Sequence, residues 1–199
     1  MKRFAPLLAP ILLACSSLLF AAPAVEHLRL SVIPTAVSSG AAEAMVVSGG
    51  RWTTERHLVH AAVLIEHPKG RFLFDTGLGR QTAEAFARNN WINRTLLAYE
   101  QLNPARDQLE AAGYSADDID FILPSHLHWD HLGGLPDFPG IPVKVLPGAL
   151  EEARDHGEPP AFLAEQLEGQ REWQQIELDN TPYQGFEQSL DLFDDGQLI

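Results

Sequence analysis

Three histidines and an aspartate within six residues constrain this chain more than any other feature of its sequence. They are His126, His128, Asp130 and His131, and they follow the apolar stretch Phe121–Leu123 almost directly. Imidazole and carboxylate are ligands that Zn²⁺ and similar borderline ions favour. Crowding four ionisable side chains behind a buried strand would cost free energy unless they shared an ion. The stretch therefore predicts a metal site and argues against a surface loop with incidental histidines.

The spacing of these four residues divides them between two ions. Alternate residues of an extended loop point the same way, so His126 and His128 can hold one ion. Asp130 and His131, turned by the bend that follows, can reach a second ion beside the first. The Gly-Gly pair at 133–134 permits the tight backbone path that this arrangement needs.

The remainder of the chain predicts alternating strands and helices. Apolar or alternating stretches between turn residues indicate strands, and Pro104, Gly113 and Gly157 mark helix ends. Ser115 with Asp118 resembles a capping box. The predicted strands are 25–37, 60–66, 71–74, 121–123, 143–146, 173–178 and 187–193, the predicted helices are 104–113, 149–156 and 161–168, and 38–52 is a predicted loop.

The first 24 residues predict an export signal rather than part of the fold. A basic start at residues 1–3 precedes an apolar run at 4–20, and Ala22-Pro23-Ala24 fits the pattern that a signal peptidase reads. A membrane-spanning helix is the weaker interpretation, because the run is short and contains two prolines. We expect a signal peptide at 1–24 and an exported domain at 25–199, periplasmic or secreted.

Cys15 leaves a second export route open. The stretch Leu12-Leu13-Ala14-Cys15 resembles a bacterial lipobox, in which the cysteine would carry lipid and anchor the protein to a membrane. The apolar run continues through residues 18–20, whereas a lipoprotein usually turns polar after its cysteine. Cleavage after Ala24 is therefore favoured. It would leave a mature chain without cysteine, and hence without a disulfide in a compartment that permits them.

The charge of the chain excludes one class of partner. The formal net charge is −13, and removing the two basic residues of the leader leaves 12 Lys and Arg against 27 Asp and Glu. So acidic a balance argues against binding to nucleic acid and gives no basic patch for a membrane. The expected partner is a small-molecule substrate, with a membrane involved only if Cys15 is lipidated. The sequence predicts no particular oligomeric state.

Two stretches resemble the metallo-β-lactamase superfamily. They are FDTG at 74–77 and SHLHWDHLGGL at 125–135, with a strand, a helix and another strand predicted between them. The similarity is good over 57–145 and looser from there onward. It implies a fold of the α/β (α+β) class, an αββα sandwich with metal ions at one edge of its two sheets.

The resemblance also assigns roles to individual residues. It implies that His126 and His128 bind the first metal, that Asp130 and His131 bind the second, and that Asp75 orients this loop from behind the ligands. The metal is expected to be zinc, two ions in a complete domain, with iron or manganese as alternatives.

Some ligands of the superfamily have no counterpart in this sequence. Its members add a later Gly-His, a metal-bridging Asp and a last His, yet no histidine follows His156 here, and His156 lies too near the motif. The hairpin signal at 194–196 leaves three residues for a returning strand. We therefore expect a domain shortened at its C-terminus, with little hydrolase activity, because two ligands per ion bind metal weakly.

The same resemblance suggests a reaction. In an intact relative, a metal-bound hydroxide attacks a carbonyl, and Asp130 passes a proton to the leaving group. The stretch LIEHPKGRFLFDTGLG at 64–79, taken with the histidine motif, looks closest to the acyl-homoserine-lactone lactonases, so a lactone or related ester is the expected substrate. The alternatives are an exported β-lactamase, a thioesterase of the same fold, and an inactive truncated fragment.

Four other residues, all outside the predicted ligand set, are candidates for roles near the site. His57 and His60 are expected in solvent or at the pocket rim rather than on a metal. Trp129 either walls the pocket or packs into the core, and both remain open. Ser125 is not a candidate nucleophile, because no base is placed for it apart from the metal ligands.

Overall fold

The computed structural model describes residues 26–167 and 172–199. The predicted signal peptide at 1–24, Cys15 included, lies outside these residues. No helix among the described residues is long and apolar enough to cross a membrane.

A seven-stranded mixed sheet organises the structure. Its spatial order is β6-β1-β4-β5-β7-β8-β9, antiparallel from β6 to β5 and parallel from β5 to β9. A second, two-stranded sheet pairs β2 with β3. The strands are β1 (Arg29–Ser38), β2 (Ala41–Ala42), β3 (Glu55–Arg56), β4 (Val59–His67), β5 (Gly70–Phe74), β6 (Tyr99–Glu100), β7 (Phe121–Leu123), β8 (Val143–Val145) and β9 (Trp173–Gln175).

The helices are short, and most lie between the strands of the parallel half. They are α1 (Glu43–Val46), α2 (Thr82–Ala87), α3 (Trp91–Leu96), α4 (Ala105–Ala111), α5 (Trp129–Leu132), α6 (Ala149–His156) and α7 (Ala164–Leu167). Single 3₁₀ turns occupy Ala116–Asp118 and Leu135–Asp137. Because parallel neighbours need crossover connections, the chain passes through α4, α6 and α7 on its way between β5 and β9.

The main core lies on the face of the sheet that these helices cover. Neighbouring strands place Leu64, Leu73 and Ile122 side by side on that face. Leu109 of α4 and Leu150 of α6 pack against them. Alternate residues of the same strands point to the opposite face, as the two-residue period of a strand requires.

The opposite face of the sheet is also apolar, but its cover is thinner. Ile65, Phe72 and Phe121 form a row across β4, β5 and β7, and the rings of Phe72 and Phe121 stack at 4.6 Å. Phe193 and Leu198, from the irregular segment after β9, pack onto this row. A groove of about 630 Å³ stays open between that segment and the sheet.

Most of the predicted elements are confirmed. The strands expected at 60–66, 71–74, 121–123 and 143–146 are β4, β5, β7 and β8, the helices expected at 104–113 and 149–156 are α4 and α6, and the capping box at Ser115 is present. The mixed α/β class is confirmed with them. The expected loop at 38–52 contains β2 and α1, and the first strand starts at Arg29 rather than Val25.

The elements predicted near the C-terminus fared less well. Of the predicted helix 161–168, residue 168 lies outside the described residues, and the helical part of the rest is Ala164–Leu167. The strand predicted at 173–178 ends at Gln175. The strand predicted at 187–193 is wrong. Its residues make only an isolated bridge between Asp179 and Ser189, because the segment lays its apolar side chains on the sheet face instead of joining a sheet edge.

A bulge in β1 ties the first strands to the loop after β5. The register slips between Pro34 and Ala36, which leaves Thr35 as the extra residue. The Thr35 hydroxyl donates to the His60 carbonyl at 3.0 Å and accepts from the Leu78 N–H at 2.9 Å. Gly77 adopts φ +59°, and a Cβ there would lie 2.2 Å from Thr35 Oγ1. Any residue other than glycine at position 77 would therefore prevent the loop from approaching β1 this closely.

We predict that Gly77→Ala destabilises the protein more than a left-handed φ alone explains. The matched control is Gly140→Ala, which has φ +80° and no atom within 4 Å of the added Cβ. The control should cost about 1–2 kcal/mol of unfolding free energy for its backbone conformation. Gly77→Ala should cost about 1–3 kcal/mol more because of the clash. Urea unfolding of both variants measures the difference, and equal losses would contradict the close approach.

Candidate active site

The candidate site forms where the loops after β5 and β7 meet. These strands are parallel neighbours, so both loops leave the same edge of the sheet. The first loop carries Asp75, whose N–H donates to the Leu123 carbonyl at 3.1 Å. The second loop carries the histidine motif. The topology thus brings together two sequence stretches that lie 50 residues apart.

Asp75 is the hydrogen-bonding centre of this junction. Its Oδ1 accepts from the Ser125 N–H at 2.7 Å, and its Oδ2 accepts from the Ser125 hydroxyl at 2.9 Å and from His131 Nδ1 at 2.7 Å. Asp75 is buried and holds φ +58°, a conformation that aspartate tolerates better than most residues. The prediction that Asp75 supports the motif from behind agrees with these contacts.

Thr76 fastens the backbone of the motif to the same loop. The His131 carbonyl accepts from the Thr76 N–H at 2.9 Å and from its hydroxyl at 2.8 Å. The Thr76 hydroxyl in turn accepts from the Gly134 N–H at 3.1 Å. A Cβ on Gly134 would lie 2.7 Å from the Thr76 carbonyl oxygen. The glycine is required there because the two loops touch through their backbones.

Three imidazole rings cluster on the exposed side of this junction. The ring centroid of His126 lies 4.4 Å from that of His128 and 4.0 Å from that of His131. The edge of Phe162 meets the His128 ring at 4.9 Å. Helix α5 begins directly after His128, so Asp130 and His131 lie in its first turn. The structure therefore brings the four sequence-predicted residues together.

The Asp75–Ser125 pair determines which nitrogen of two histidines is free. A carboxylate only accepts, so the Nδ1 of His131 carries a proton, and in the neutral ring its Nε2 has the free lone pair. Ser125 gives its one proton to Asp75, so it accepts from His126 Nδ1, which lies 3.0 Å from its oxygen. His126 then also offers Nε2. Ser125 was not predicted to be a nucleophile, and its supporting role was not predicted either. Its place directly before the motif could have indicated that role.

Asp130 has an ion-pairing neighbour that the sequence did not predict. Its Oδ2 lies 3.4 Å from His60 Nδ1 and 3.7 Å from His131 Nε2. His60 was expected in solvent or at the pocket rim, and its side chain, only 11% exposed, lies beside Asp130 rather than in solvent. Its position at the start of the apolar stretch HAAVLIE was the available signal. His57, in contrast, is exposed and pairs with Glu55, as expected.

The electrostatics of the cluster favour a charged His131. Burial favours its neutral ring, yet the hydrogen bond and the charge of Asp75 outweigh burial and raise the pKa of His131 above 6.5. The pKa of His126 is lowered, first by burial and then by the neighbouring His131 and His128. The two rings therefore differ in charge over part of the neutral range.

Asp130 is ionised despite its surroundings. Burial favours the neutral carboxyl, but the hydrogen bond from His60 and the charge of His131 outweigh it, and the pKa of Asp130 lies below its ordinary value of 3.8. An ionised carboxylate is the form that binds a cation or accepts a proton.

The donor chemistry of the cluster fits a borderline divalent ion. Within residues 26–167 and 172–199, no three His, Cys, Asp or Glu side chains already converge on a point that could hold a metal. The donors instead contact one another, with His131 beside Asp130 and His126 between two rings. Carboxylate-supported imidazoles with a free Nε2 are the usual form of a histidine ligand.

Trp129 packs into the core rather than lining a pocket. Its side chain is buried, and its ring stacks on Phe86 at 5.0 Å. The backbone N–H of Trp129 donates to the Ala161 carbonyl at 2.8 Å, and the backbone carbonyl of Trp129 accepts from Gln166 Nε2 at 3.1 Å. The segment around α7 therefore also fixes the backbone of the motif, independently of Asp75.

Comparison with known proteins gives a family match over most of the chain. The family model described as the metallo-β-lactamase superfamily matches residues 56–198. A probable metallo-hydrolase of Mycobacterium tuberculosis is 34% identical over 84 residues, which is 42% of this chain and 27% of that protein. An N-acyl homoserine lactonase of Bacillus thuringiensis is 32% identical over 97 residues, covering 45% of this chain and 37% of the lactonase.

A solved structure extends the likeness to the fold. An N-acyl homoserine lactone hydrolase, with N-hexanoyl-L-homoserine at its catalytic metal centre, superposes with a TM-score of 0.62 at 24% identity. The match covers 78% of this chain and 62% of that one. The chain thus spans well under two thirds of the curated relatives that it matches, and just under two thirds of this solved relative.

We predict that Asp75→Asn destabilises the metal-free protein in a pH-dependent way. Asparagine tolerates the left-handed φ, so the substitution mainly removes charge. The raised pKa of His131 means that its contribution to stability is fully present below about pH 6.5 and is lost as the pH rises through the folded pKa. The loss of unfolding free energy should therefore be larger at about pH 5.5 than at about pH 9, with hydrogen bonds to a charged group worth about 1.5–3 kcal/mol.

Urea unfolding in the presence of a chelator measures both values. Asp120→Asn is the matched control, because it removes a carboxylate that accepts from the Arg71 N–H at 2.7 Å in the loop before β7. The unfolding free energy lost by Asp120→Asn should be similar at the two pH values. A pH-independent loss for Asp75→Asn would show that the Asp75–His131 pair does not carry the effect.

Proposed function

Because the chain belongs to the metallo-β-lactamase superfamily, we propose that it is a metal-dependent hydrolase whose ligands include His126, His128, Asp130 and His131. The observation that carries the proposal is the network around Asp75, which gives His126 and His131 a protonated Nδ1 and a free Nε2. A surface loop with incidental histidines would not need a buried carboxylate to fix their tautomers.

Zinc is the metal that this donor set suits best, with iron or manganese as alternatives. Imidazole nitrogens and a carboxylate oxygen are common zinc ligands, and catalytic zinc sites use at least three protein donors. Four donors shared between two ions would hold them weakly, so assays require added Zn²⁺. A bound divalent ion supplies a water of lowered pKa and a Lewis acid for a carbonyl oxygen.

The chain's own residues then have distinct tasks in the hydrolysis. Asp75 and Ser125 hold His126 and His131 in the ligating tautomer throughout. Asp130, ionised because of its lowered pKa, takes up the proton released when water adds to the substrate carbonyl. It delivers that proton to the oxygen that leaves as the ester bond breaks. The protein ends the cycle in the protonation state in which it began.

A lactone is the substrate class that we propose first. The support is the likeness to N-acyl homoserine lactonases, both over 97 residues of sequence and in the fold. β-Lactams and thioesters contain the same reacting carbonyl and serve as competing substrates in the test.

The test follows ring opening by the metal-loaded protein. Saturating Zn²⁺ offsets the weak metal binding expected of two ligands per ion. Under this condition we expect slow acid release from an N-acyl homoserine lactone in a pH-stat, and still slower turnover of a β-lactam and a thioester. His128→Ala should lower both zinc affinity and turnover by more than the about 10- to 100-fold that loss of an outer partner costs. His156→Ala is the matched control, because His156 lies exposed at the end of α6.

Each outcome of this test has a distinct reading. Faster turnover of the β-lactam or the thioester would show that the proposed substrate class is wrong, while the proposal of a hydrolase would stand. Zinc bound without turnover of any of the three would reject the hydrolase. Unchanged zinc content and turnover in His128→Ala would reject the ligand assignment.

We also propose that residues 1–24 direct export and are removed. Mass spectrometry of the protein recovered from a bacterial periplasm or culture medium tests this proposal. Cleavage after Ala24 should give a mature chain that begins at Val25. A chain that begins at a lipid-modified Cys15 would instead establish the lipoprotein route, and an intact Met1 would reject both.

A further inference from the structure

His60 is the ionisable side chain beside the motif to which the proposed function gives no task. It is the second residue of β4, and its side chain is only 11% exposed. Burying an imidazole without a polar partner costs free energy, so the polar contacts of His60 indicate its role. Its Nδ1 faces Asp130 Oδ2 at 3.4 Å, and its ring lies 5.8 Å from the ring of Trp129.

The backbone of His60 is held in place from β1. His60 pairs with Ala36 directly after the bulge, and its carbonyl accepts from the Thr35 hydroxyl at 3.0 Å. Thr35 is fully buried and also binds the Leu78 N–H. Because Leu78 belongs to the loop that starts at Asp75, the position of His60 is coupled to the loop that supports the histidines.

Asp130 lacks the support that Asp75 gives to the other side of the cluster. It lies in the first turn of the four-residue helix α5, and its side chain is 26% exposed. His131 Nε2 approaches Asp130 Oδ2 from one side at 3.7 Å. That nitrogen is the free one, so it has no proton to donate when the ring is neutral. Besides the backbone N–H of Asp130 itself, His60 Nδ1 is then the side-chain donor that faces the carboxylate.

We propose that His60 is a positioning residue that orients the carboxylate of Asp130 toward the metal and the substrate. The inference rests on the proposed function, since it assigns a role in the same site. Asp75 supports His131 from the β5 side, and His60 supports Asp130 from the β4 side. The site is thereby held by two side chains with little solvent exposure, the carboxylate that directly follows β5 and the imidazole near the start of β4.

Two substitutions separate orientation from packing. His60→Leu keeps most of the buried volume and removes the donor. His60→Asn places an amide N–H near the position of Nδ1 and retains a donor, although it fills less space. A packing role would favour the leucine, and an orienting role would favour the asparagine. His57→Leu, three residues earlier and exposed, is the matched control.

The readout is Co²⁺ binding, followed by visible absorption, which reports both affinity and ligand geometry. We expect His60→Leu to bind Co²⁺ about 10- to 100-fold more weakly, with a changed spectrum. His60→Asn should restore most of the affinity and the wild-type spectrum. His57→Leu should match wild type in both. Urea unfolding of the metal-free variants shows whether each substitution also affects the fold.

The outcomes keep this inference distinct from the function on which it rests. If His128→Ala loses Co²⁺ binding while His60→Leu matches wild type, the orienting role is wrong and the metal site stands. If His60→Asn binds as weakly as His60→Leu, or more weakly, the role is packing and the inference is again wrong. If the wild-type chain binds no Co²⁺, the proposed metal site fails and the inference fails with it.

Discussion

The buried carboxylate of Asp75 is the constraint on which the candidate site depends. It accepts three hydrogen bonds from the loop after β7, two from Ser125 and one from His131. Each bond has a separate effect. One fixes the backbone where the motif begins, one makes Ser125 an acceptor toward His126, and one holds the proton of His131 on Nδ1. Charge-assisted bonds of this length are about twice as strong as neutral ones, so a single side chain organises both tautomers and loop geometry.

The loops after β5 and β7 can contact each other through their backbones because of residues far from the motif in sequence. The bulge in β1 frees Thr35 to bind both the His60 carbonyl and the loop after Asp75. Gly77 provides the space for Thr35, and Gly134 provides the space for Thr76. In and before α7, Ala161 and Gln166 bind the backbone of Trp129. The motif is therefore held by two separate segments, which is the rigidity that a catalytic arrangement of side chains needs.

The sequence predicted the parts of this structure that rest on local patterns. The apolar strands β4, β5 and β7 and the six-residue motif are local, and each was found where it was expected. The contact between His60 and Asp130 was not predicted, because the two residues lie 70 positions apart and no period or spacing connects β4 to α5. The strand predicted at 187–193 failed for a related reason. Its apolar residues satisfy a strand pattern, but they are buried by lying on the sheet face rather than by pairing with a neighbour.

The contacts within the cluster also determine how protons and metal compete for it. His131 faces carboxylates from two directions, Asp75 at Nδ1 and Asp130 at Nε2, so the metal-free site attracts a proton to the ring that must be neutral to bind an ion. His126 has the opposite tendency, because partial burial and its two neighbouring rings lower its pKa. A proton would therefore compete with an ion at the proposed site more strongly for His131 than for His126. Of the contacts around His131, the ion would replace only the one to Asp130, because Asp75 binds the nitrogen that stays protonated.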